Sequence, residues 1–244
     1  MSMKWLLCLV FSLYYQFCSA EQFNIYVKYD DAELKSNIQK FNAFLDARGI
    51  FKKYDIEPFL VHYPLHTTLY LTHFESYSIP NVINKIKNVT SQWHQFDITA
   101  TDIYITDGNY VMLDVDDRLG DSGLNPTLQR YSDRMVFALH QIRDTSAPIP
   151  DWAKNYPPKQ RAFQRYGSPN VLFEFSPHFT LMAKQFKDKQ TAQAFHEEMT
   201  CLIEQYKKLN PHPPITLKST SIGFGYVNQY GQITNEIINF ELQN

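Results

Sequence analysis

The sequence predicts an α+β fold: a bilobal, duplicated β-sheet domain with helices on the outside and a central cleft. Three observations support this prediction. The chain has 244 residues, 44% hydrophobic and 20% charged, which suits one large domain or two small lobes. Apolar residues recur at strand spacing in some segments and at helix spacing in others. The order strand, helix, hairpin occurs twice, which indicates a duplicated unit of about 110 residues.

The first copy of the unit follows an N-terminal strand and helix. The long helix is expected to end at Gly49, the second strand to bend at Pro64, and the second helix to open with Ser78 and Pro80. Asp107-Gly108 is a typical hairpin turn. The predicted strands are 23–29 and 59–71, the hairpin is 96–115, and the helices are 31–48, 78–89 and 126–142.

The second copy repeats this order after an unusual connection. A strand is predicted at 171–183, a helix at 191–209, and strands within 215–242. Residues 145–170 are rich in proline, aromatic residues and Lys/Arg, and we predict a loop there. This loop is either a solvated linker or a segment whose Lys159, Arg161 and Arg165 close over an anionic ligand. The predicted lobe halves are 21–144 and 171–244.

Residues 1–20 have the pattern of a secretory signal peptide. Lys4 precedes an apolar run from Trp5 to Phe17, and small residues follow before Glu21. An uncleaved anchor is the alternative, but the run is shorter than the roughly 20 residues that cross a bilayer. We therefore expect a secreted or periplasmic protein that is free of the membrane after cleavage, with a single domain at 21–244, and we expect it to be monomeric. The net charge of −2 excludes a broad electrostatic binder of nucleic acid or anionic lipid.

Two tetrapeptides carry the functional prediction: His66-Thr-Thr-Leu and His178-Phe-Thr-Leu. Each lies in a predicted strand, at the same place in its copy of the unit. Because side chains alternate along a strand, His66 and Thr68 share one face, and so do His178 and Thr180. A regular strand would also put Tyr70 on the face of the first pair, where its ring could stack on a base.

Two imidazoles that face one phosphorus atom are able to catalyse in-line displacement. A neutral imidazole takes a proton from water, and a protonated one gives a proton to the leaving oxygen. Histidine suits both roles because its ordinary pKa is about 6.5. The threonine hydroxyls would donate hydrogen bonds to the phosphate. This chemistry needs no metal and no cofactor, because the leaving group is protonated rather than coordinated.

The paired motifs resemble those of the two-histidine (2H) phosphoesterases, a superfamily that includes the bacterial 2'-5' RNA ligases and cyclic nucleotide phosphodiesterases. The resemblance implies a duplicated, bilobal α+β fold with both motifs in a central cleft. It also implies that His66 and His178 are the acid–base pair and that Thr68 and Thr180 bind phosphate. The expected substrate is a 2',3'-cyclic phosphate or a short phosphodiester linkage of an RNA end or nucleotide. The export signal departs from the usual cytoplasmic members.

Other readings of the sequence remain open. The chain could be a non-catalytic protein that binds nucleotides or RNA ends in the same cleft, or an exported interaction protein in which the motifs are relics. A metal site at His62, His66 and His73 is the weaker alternative, because Pro64 interrupts the run and the spacing is not that of a closed site. Tyr104 and Phe224 are further stacking candidates.

Overall fold

Seven antiparallel strands form one sheet in the part of the chain that the structure, a computed structural model, describes: residues 21–116, 127–211 and 214–244. The predicted signal segment, 1–20, lies outside these residues. The strands are β1 Glu21–Tyr29, β2 His66–Phe74, β3 Asp97–Ile105, β4 Tyr110–Asp116, β5 His178–Ala183, β6 Ile215–Val227 and β7 Ile233–Glu241.

The helices lie on the outside of the sheet and begin where the sequence provides caps. The side chain of Asp31 accepts a hydrogen bond from the backbone N–H of Leu34, and Asp188 caps the last long helix in the same way. In the described residues, no helix is long and apolar enough to cross a membrane. The helices are α1 Ala32–Asp46, α2 Ile50–Tyr54, α3 Ile79–Thr90, α4 Thr127–Leu139, α5 Pro157–Tyr166 and α6 Lys189–Leu209.

Strand β6 joins the two parts of the sheet. The strand order is β2-β1-β6-β3-β4-β5, and β7 also pairs with β6. The first residues of β6, 215–218, pair with β3, whereas residues 219–226 pair with β1. One strand of 13 residues is long enough to serve both parts. Strands β2 and β5 are therefore the two ends of the order.

The starts of β2 and β5 nevertheless meet in space through Tyr29 of β1. The Tyr29 hydroxyl is 2.9 Å from the hydroxyl of Thr67, and its ring packs edge-on against Phe179 at 5.3 Å between centroids. Thr67 and Phe179 are the residues that directly follow the two motif histidines. The sheet thus curves so that both motifs begin in the same region.

The two parts of the sheet do not coincide with the two halves of the chain. The hairpin β3–β4 of the first half pairs with β5 of the second, and the hairpin β6–β7 of the second half pairs with β1. Each part of the sheet therefore contains strands from both predicted lobe halves, 21–144 and 171–244. The sequence repeat cannot reveal this exchange, because it contains no information on strand pairing.

Prolines shorten both motif strands relative to the prediction. The predicted strand 59–71 is a strand only from His66, and Phe59–Val61 form a 3-10 turn. The predicted strand 171–183 likewise begins at His178, after a 3-10 turn at Leu172–Glu174. Proline has no backbone N–H to donate to a neighbouring strand, so pairing starts after Pro64 and Pro177.

The predicted loop at 145–170 is wrong in its centre. It contains a 3-10 turn at Asp151–Asn155 and helix α5, which begins with two prolines and ends at Gly167. Proline suits the first turn of a helix because its missing N–H would have no partner there. The sequence does not predict this helix because it has only ten residues, too few for a clear pattern of apolar residues at helical spacing.

Candidate functional site

Both motif strands contain the same irregularity directly after the His-x-Thr sequence. In β2, Thr68 pairs with Tyr26 and Tyr70 with Ile25, so Leu69 is an extra residue that forms a β-bulge. In β5, Thr180 pairs with Met112 and Met182 with Val111, so Leu181 is extra in the same way. The duplicated unit is therefore preserved down to the bulge that follows each motif.

The bulge corrects one of the predicted site residues. The prediction that Tyr70 stacks on a base requires a regular strand, but the extra residue turns Tyr70 to the face opposite His66. Tyr70 is 0% exposed and donates a hydrogen bond to the backbone carbonyl of Tyr166. Phe224 is also fully buried in the core, and Tyr104 lies beside Met112. The stacking role assigned to Tyr70 is therefore wrong.

The two motif histidines are held by equivalent hydrogen bonds. Nδ1 of His66 is 3.0 Å from the backbone carbonyl of Pro64, and Nδ1 of His178 is 2.8 Å from that of Ser176. In each case the carbonyl belongs to the residue two positions earlier. A carbonyl oxygen only accepts, so Nδ1 carries the proton in both rings. Nε2 is then the unprotonated nitrogen of each neutral ring, and the His66 ring also has a hydrogen bond with the backbone of Gly231.

His66 lies in a tight part of the site. Its side chain is 7% exposed, and burial lowers its pKa from 6.5 to about 4. The positive charge of a protonated His178 contributes to the lowering, which places the two rings within electrostatic reach. A cavity of about 10 Å³, enough for about one water molecule, is lined by both His66 and Thr180. At neutral pH, His66 is therefore a neutral imidazole.

His178 has different neighbours. It is half-buried, and burial lowers its pKa, while the carbonyl of Ser176 and the carboxylate of Asp114 act in the opposite direction. Asp114 is the residue of β4 that pairs with His178. The corresponding residue on β1, the partner of His66, is Lys28. The strand partners of the two equivalent histidines thus have opposite charges, but Lys28 is paired with Glu236 and its charge does not contribute to the lowered pKa of His66.

Thr68 is positioned by a residue that the sequence analysis did not identify. The side-chain amide of Asn24, which is fully buried, donates a hydrogen bond of 2.8 Å to the hydroxyl oxygen of Thr68. Because the Asn24 amide occupies the hydroxyl oxygen, the hydroxyl proton is directed to another acceptor. Thr180 is half-buried at the equivalent position on β5.

A hydrogen-bonded cluster supports the site beside His66. The Tyr26 ring approaches the His66 ring edge-on, 5.3 Å between centroids, and its hydroxyl donates to Glu236 at 2.6 Å. Lys28 donates to both oxygens of the same carboxylate, at 2.9 and 3.1 Å. Gly223 makes room for the Tyr26 ring, because a Cβ atom there would lie 2.3 Å from a ring carbon. The cluster therefore fixes Tyr26 against His66.

These additional residues have a weak signal in the sequence. Asn24, Tyr26 and Lys28 alternate with apolar residues along β1, so they share a face. That alternation predicts a polar face on β1 but not which strand lies beside it. Asp114 and Glu236 come from β4 and β7, whose positions depend on the pairing of distant segments.

The remaining residues singled out in the sequence are the cationic residues of the 145–170 segment and the alternative metal site. Of the three cationic residues predicted to close over an anionic ligand, Lys159 acts on the site, since its ammonium group contributes to lowering the pKa of His178. Arg161 and Arg165 are exposed. The predicted alternative metal site does not assemble: His62 is exposed and 2.6 Å from Glu57. In the ranges that the structure describes, no group of three or more His, Cys, Asp or Glu side chains is arranged to hold a metal ion.

Comparisons with known proteins bear on the fold. No family model matches the chain, and no curated protein matches it. Among solved structures, TT0787 of Thermus thermophilus is similar with a TM-score of 0.52 and 10% identity, over 91% of this chain and 98% of that one. E. coli LigT complexed with 3'-AMP is similar with a TM-score of 0.48, 11% identity, and coverage of 93% and 100%. Kluyveromyces marxianus Usb1 gives a TM-score of 0.48, 12% identity, and coverage of 91% and 97%.

At these identities the similarity concerns the fold alone, and of these three structures TT0787 is the one whose TM-score exceeds 0.5. Its similarity extends over nearly the whole of both chains. Together with the antiparallel sheet and the external helices, it shows that the chain has the same α+β fold as TT0787, and an α+β fold is what the sequence predicts.

Proposed function

We propose that the protein is an exported, metal-independent phosphodiesterase that hydrolyses 2',3'-cyclic phosphates or short phosphodiester linkages of RNA ends or nucleotides. One observation carries this proposal. His66 and His178 begin equivalent strands, have the same hydrogen bond at Nδ1, precede the same bulge and interact electrostatically. Two imidazoles in one region, each held at Nδ1 by a backbone carbonyl so that Nε2 is the unprotonated nitrogen of the neutral ring, are the groups that metal-free phosphoryl chemistry requires.

The surroundings of the two rings favour different roles for them. His66, whose pKa is lowered by burial, is suited to be the general base. His178, with Asp114 as its strand partner, is suited to be the general acid, because a carboxylate stabilises an imidazolium ion. Nε2 of His66 takes a proton from water as the water oxygen attacks phosphorus. Nε2 of His178 gives a proton to the ester oxygen as its bond to phosphorus breaks.

The threonines would bind the phosphate oxygens that take no part in bond breaking. The Asn24 amide supports this role for Thr68, because it leaves the hydroxyl proton available for an anion. Charge-assisted hydrogen bonds of this kind strengthen as negative charge develops on the phosphate oxygens. Thr180 would act in the same way from the equivalent position on β5.

The test is turnover of 2',3'-cyclic nucleotides in the presence of a chelator, with release of the phosphomonoester as the readout. We expect activity in the parent chain, and losses of roughly 10²- to 10⁴-fold in kcat/KM for His66→Ala and for His178→Ala. His62→Ala is the matched control, since it removes an exposed imidazole that contacts Glu57 and not the site.

Two results would redirect the proposal. If the parent chain binds nucleotides but forms no product, the protein is the non-catalytic binder of nucleotides or RNA ends that the sequence also allows. If the chelator abolishes turnover, the metal-free mechanism is wrong. Export is tested separately, by N-terminal sequencing of the protein recovered outside the cytoplasm, which should begin at Glu21.

A further inference from the structure

An exposed tryptophan and a partly buried lysine lie together on the His178 side of the site. The Trp152 side chain belongs to the 3-10 turn before α5 and is 38% exposed. The Lys159 ammonium group, from the first turn of α5, lies 5.9 Å from the centroid of the Trp152 ring. An aromatic ring and a cation at this distance are able to contact one small ligand together.

Lys159 is held in place by the segment that leads into β5. Its ammonium group donates to the side-chain oxygen of Asn170 at 2.7 Å and lies 3.6 Å from the carboxylate of Glu174. The turn that carries Glu174 begins at Leu172, which has a φ of 55°, a conformation that a leucine rarely adopts. The Gln129 side chain donates to the Leu172 carbonyl at 3.0 Å and supports this turn.

The Lys159 ammonium group also has an electrostatic effect on the His178 ring. Its charge contributes to lowering the pKa of His178, so Lys159 lies within electrostatic reach of that ring. Lys159 therefore connects the His178 ring to Trp152. Lys159 is also paired with Glu174, four residues before His178, so a nucleotide that reaches from the histidines to Lys159 would have its base within reach of the indole ring, 5.9 Å from that ammonium group.

We propose that Trp152 and Lys159 form a nucleobase-binding subsite, in which the base attached to the reacting phosphate stacks on the indole ring and the ammonium group contacts the anionic part of the same nucleotide. The proposal rests on the proposed function and specifies its substrate: a nucleotide or RNA end rather than a cyclic phosphate without a base. Stacking on an aromatic side chain accepts every base, because each presents a π-face, so the subsite should have little sequence preference. It replaces the stacking role that Tyr70 cannot fulfil.

The experiment compares two probes on the full chain: adenosine 2'-monophosphate, which carries a base, and inorganic phosphate, which does not. Calorimetric titration should show that Trp152→Ala weakens binding of the nucleotide roughly 10- to 100-fold and leaves binding of phosphate unchanged. Trp152→Phe should retain most of the nucleotide affinity. Lys159→Gln should weaken binding of both probes.

A matched control and a second readout make the result specific. Tyr77→Ala removes an aromatic side chain that is 79% exposed but lies beyond the far end of β2, roughly 25 Å from its first residue, and should change neither affinity. Indole fluorescence should be quenched by the nucleotide in the parent chain and not in Trp152→Phe. Trp93 does not report on binding, because it is 1% exposed and stacked on Tyr131.

The outcomes separate this subsite from the proposed function. Equal loss of nucleotide and phosphate affinity in Trp152→Ala, no loss of either, or no nucleotide binding by the parent chain would each overturn the subsite. Turnover of glycerol cyclic phosphate, a substrate without a base, at the same kcat/KM as a cyclic nucleotide would also overturn it while leaving the phosphodiesterase intact. Nucleotide binding that depends on Trp152 without any turnover would support the subsite and overturn the catalytic proposal.

Discussion

Replacing His66 with glutamine should make the free energy of unfolding fall less as the pH decreases. The buried His66 ring has its pKa lowered from 6.5 to about 4. In the unfolded chain the same ring has its ordinary pKa, so between these values the unfolded state binds the additional proton. The free energy of unfolding therefore falls as pH decreases from about 6.5 to about 4, and this part of the fall requires His66.

The size of the effect follows from the lowered pKa. At 1.36 kcal/mol per pKa unit, protonation of this ring should cost the folded state about 2 kcal/mol at pH 5 and about 3 kcal/mol below pH 4. Because the side chain is 7% exposed, solvent screens this cost little. Glutamine keeps a hydrogen-bond donor near the Pro64 carbonyl and does not titrate.

The assay is urea unfolding of the parent chain and of His66→Gln at pH 7 and pH 5. Any difference in stability between the two proteins at pH 7 cancels when each protein is compared with itself. We expect the parent to lose about 2 kcal/mol more than the variant between the two pH values. Parallel pH dependence in the two proteins would refute the buried, neutral state of His66. His62→Gln, at an exposed imidazole, should behave like the parent.

Three further predictions concern the neighbours of the site. Since the base must be neutral and the acid protonated, kcat/KM should be highest in a pH window that opens at the pKa of His66, about 4, and closes at the pKa of His178, which lies below 6.5. Asp114→Asn should move the alkaline limb to lower pH by lowering the pKa of His178 further. Gly223→Ala should displace the Tyr26 ring and reduce stability by about 1 to 3 kcal/mol, measured by urea unfolding. Tyr70→Phe should cost about 1 to 3 kcal/mol of stability, because a buried acceptor loses its donor, with kcat/KM unchanged.

Each of these predictions has a contradicting result. An alkaline limb that stays in place in Asp114→Asn would remove the assigned effect of the carboxylate on His178. For the glycine, Gly108→Ala is the control, because the nearest atom to its added Cβ would be 3.5 Å away. Equal stability of the two alanine variants would contradict the close contact at Gly223. A large loss of kcat/KM in Tyr70→Phe would show that Tyr70 contributes to the site, contrary to this prediction.

The sequence predicts the elements well because their signals are local. A helix is predicted at 31–48 and α1 lies at Ala32–Asp46, since its cap at Asp31 and its apolar stripe are both visible in the sequence. The hairpin predicted at 96–115 is formed by β3 and β4, with Asp107-Gly108 in its turn. The shared face of His66 and Thr68 also follows from alternation alone.

What the sequence does not reveal depends on register and pairing. The position of Tyr70 changes with one extra residue in β2, and a bulge of this kind has no signature in the alternation of side chains. The charged strand partners of the histidines are distant in sequence: Lys28 is 38 residues from His66, and Asp114 is 64 residues from His178. Such pairs become visible only when the sheet is assembled.

The exchange of hairpins between the two halves of the chain has a consequence for how the protein reaches its native state. Neither half contains all the partners of its own strands, so a nascent chain cannot complete the sheet around His66 until β6 and β7 have been synthesised. Many pairings join distant segments, a property that slows folding. Separately expressed fragments should therefore be largely unstructured alone and recover binding only when mixed. If the proposed export takes place, slow folding of this kind would leave the chain time to be translocated before it folds.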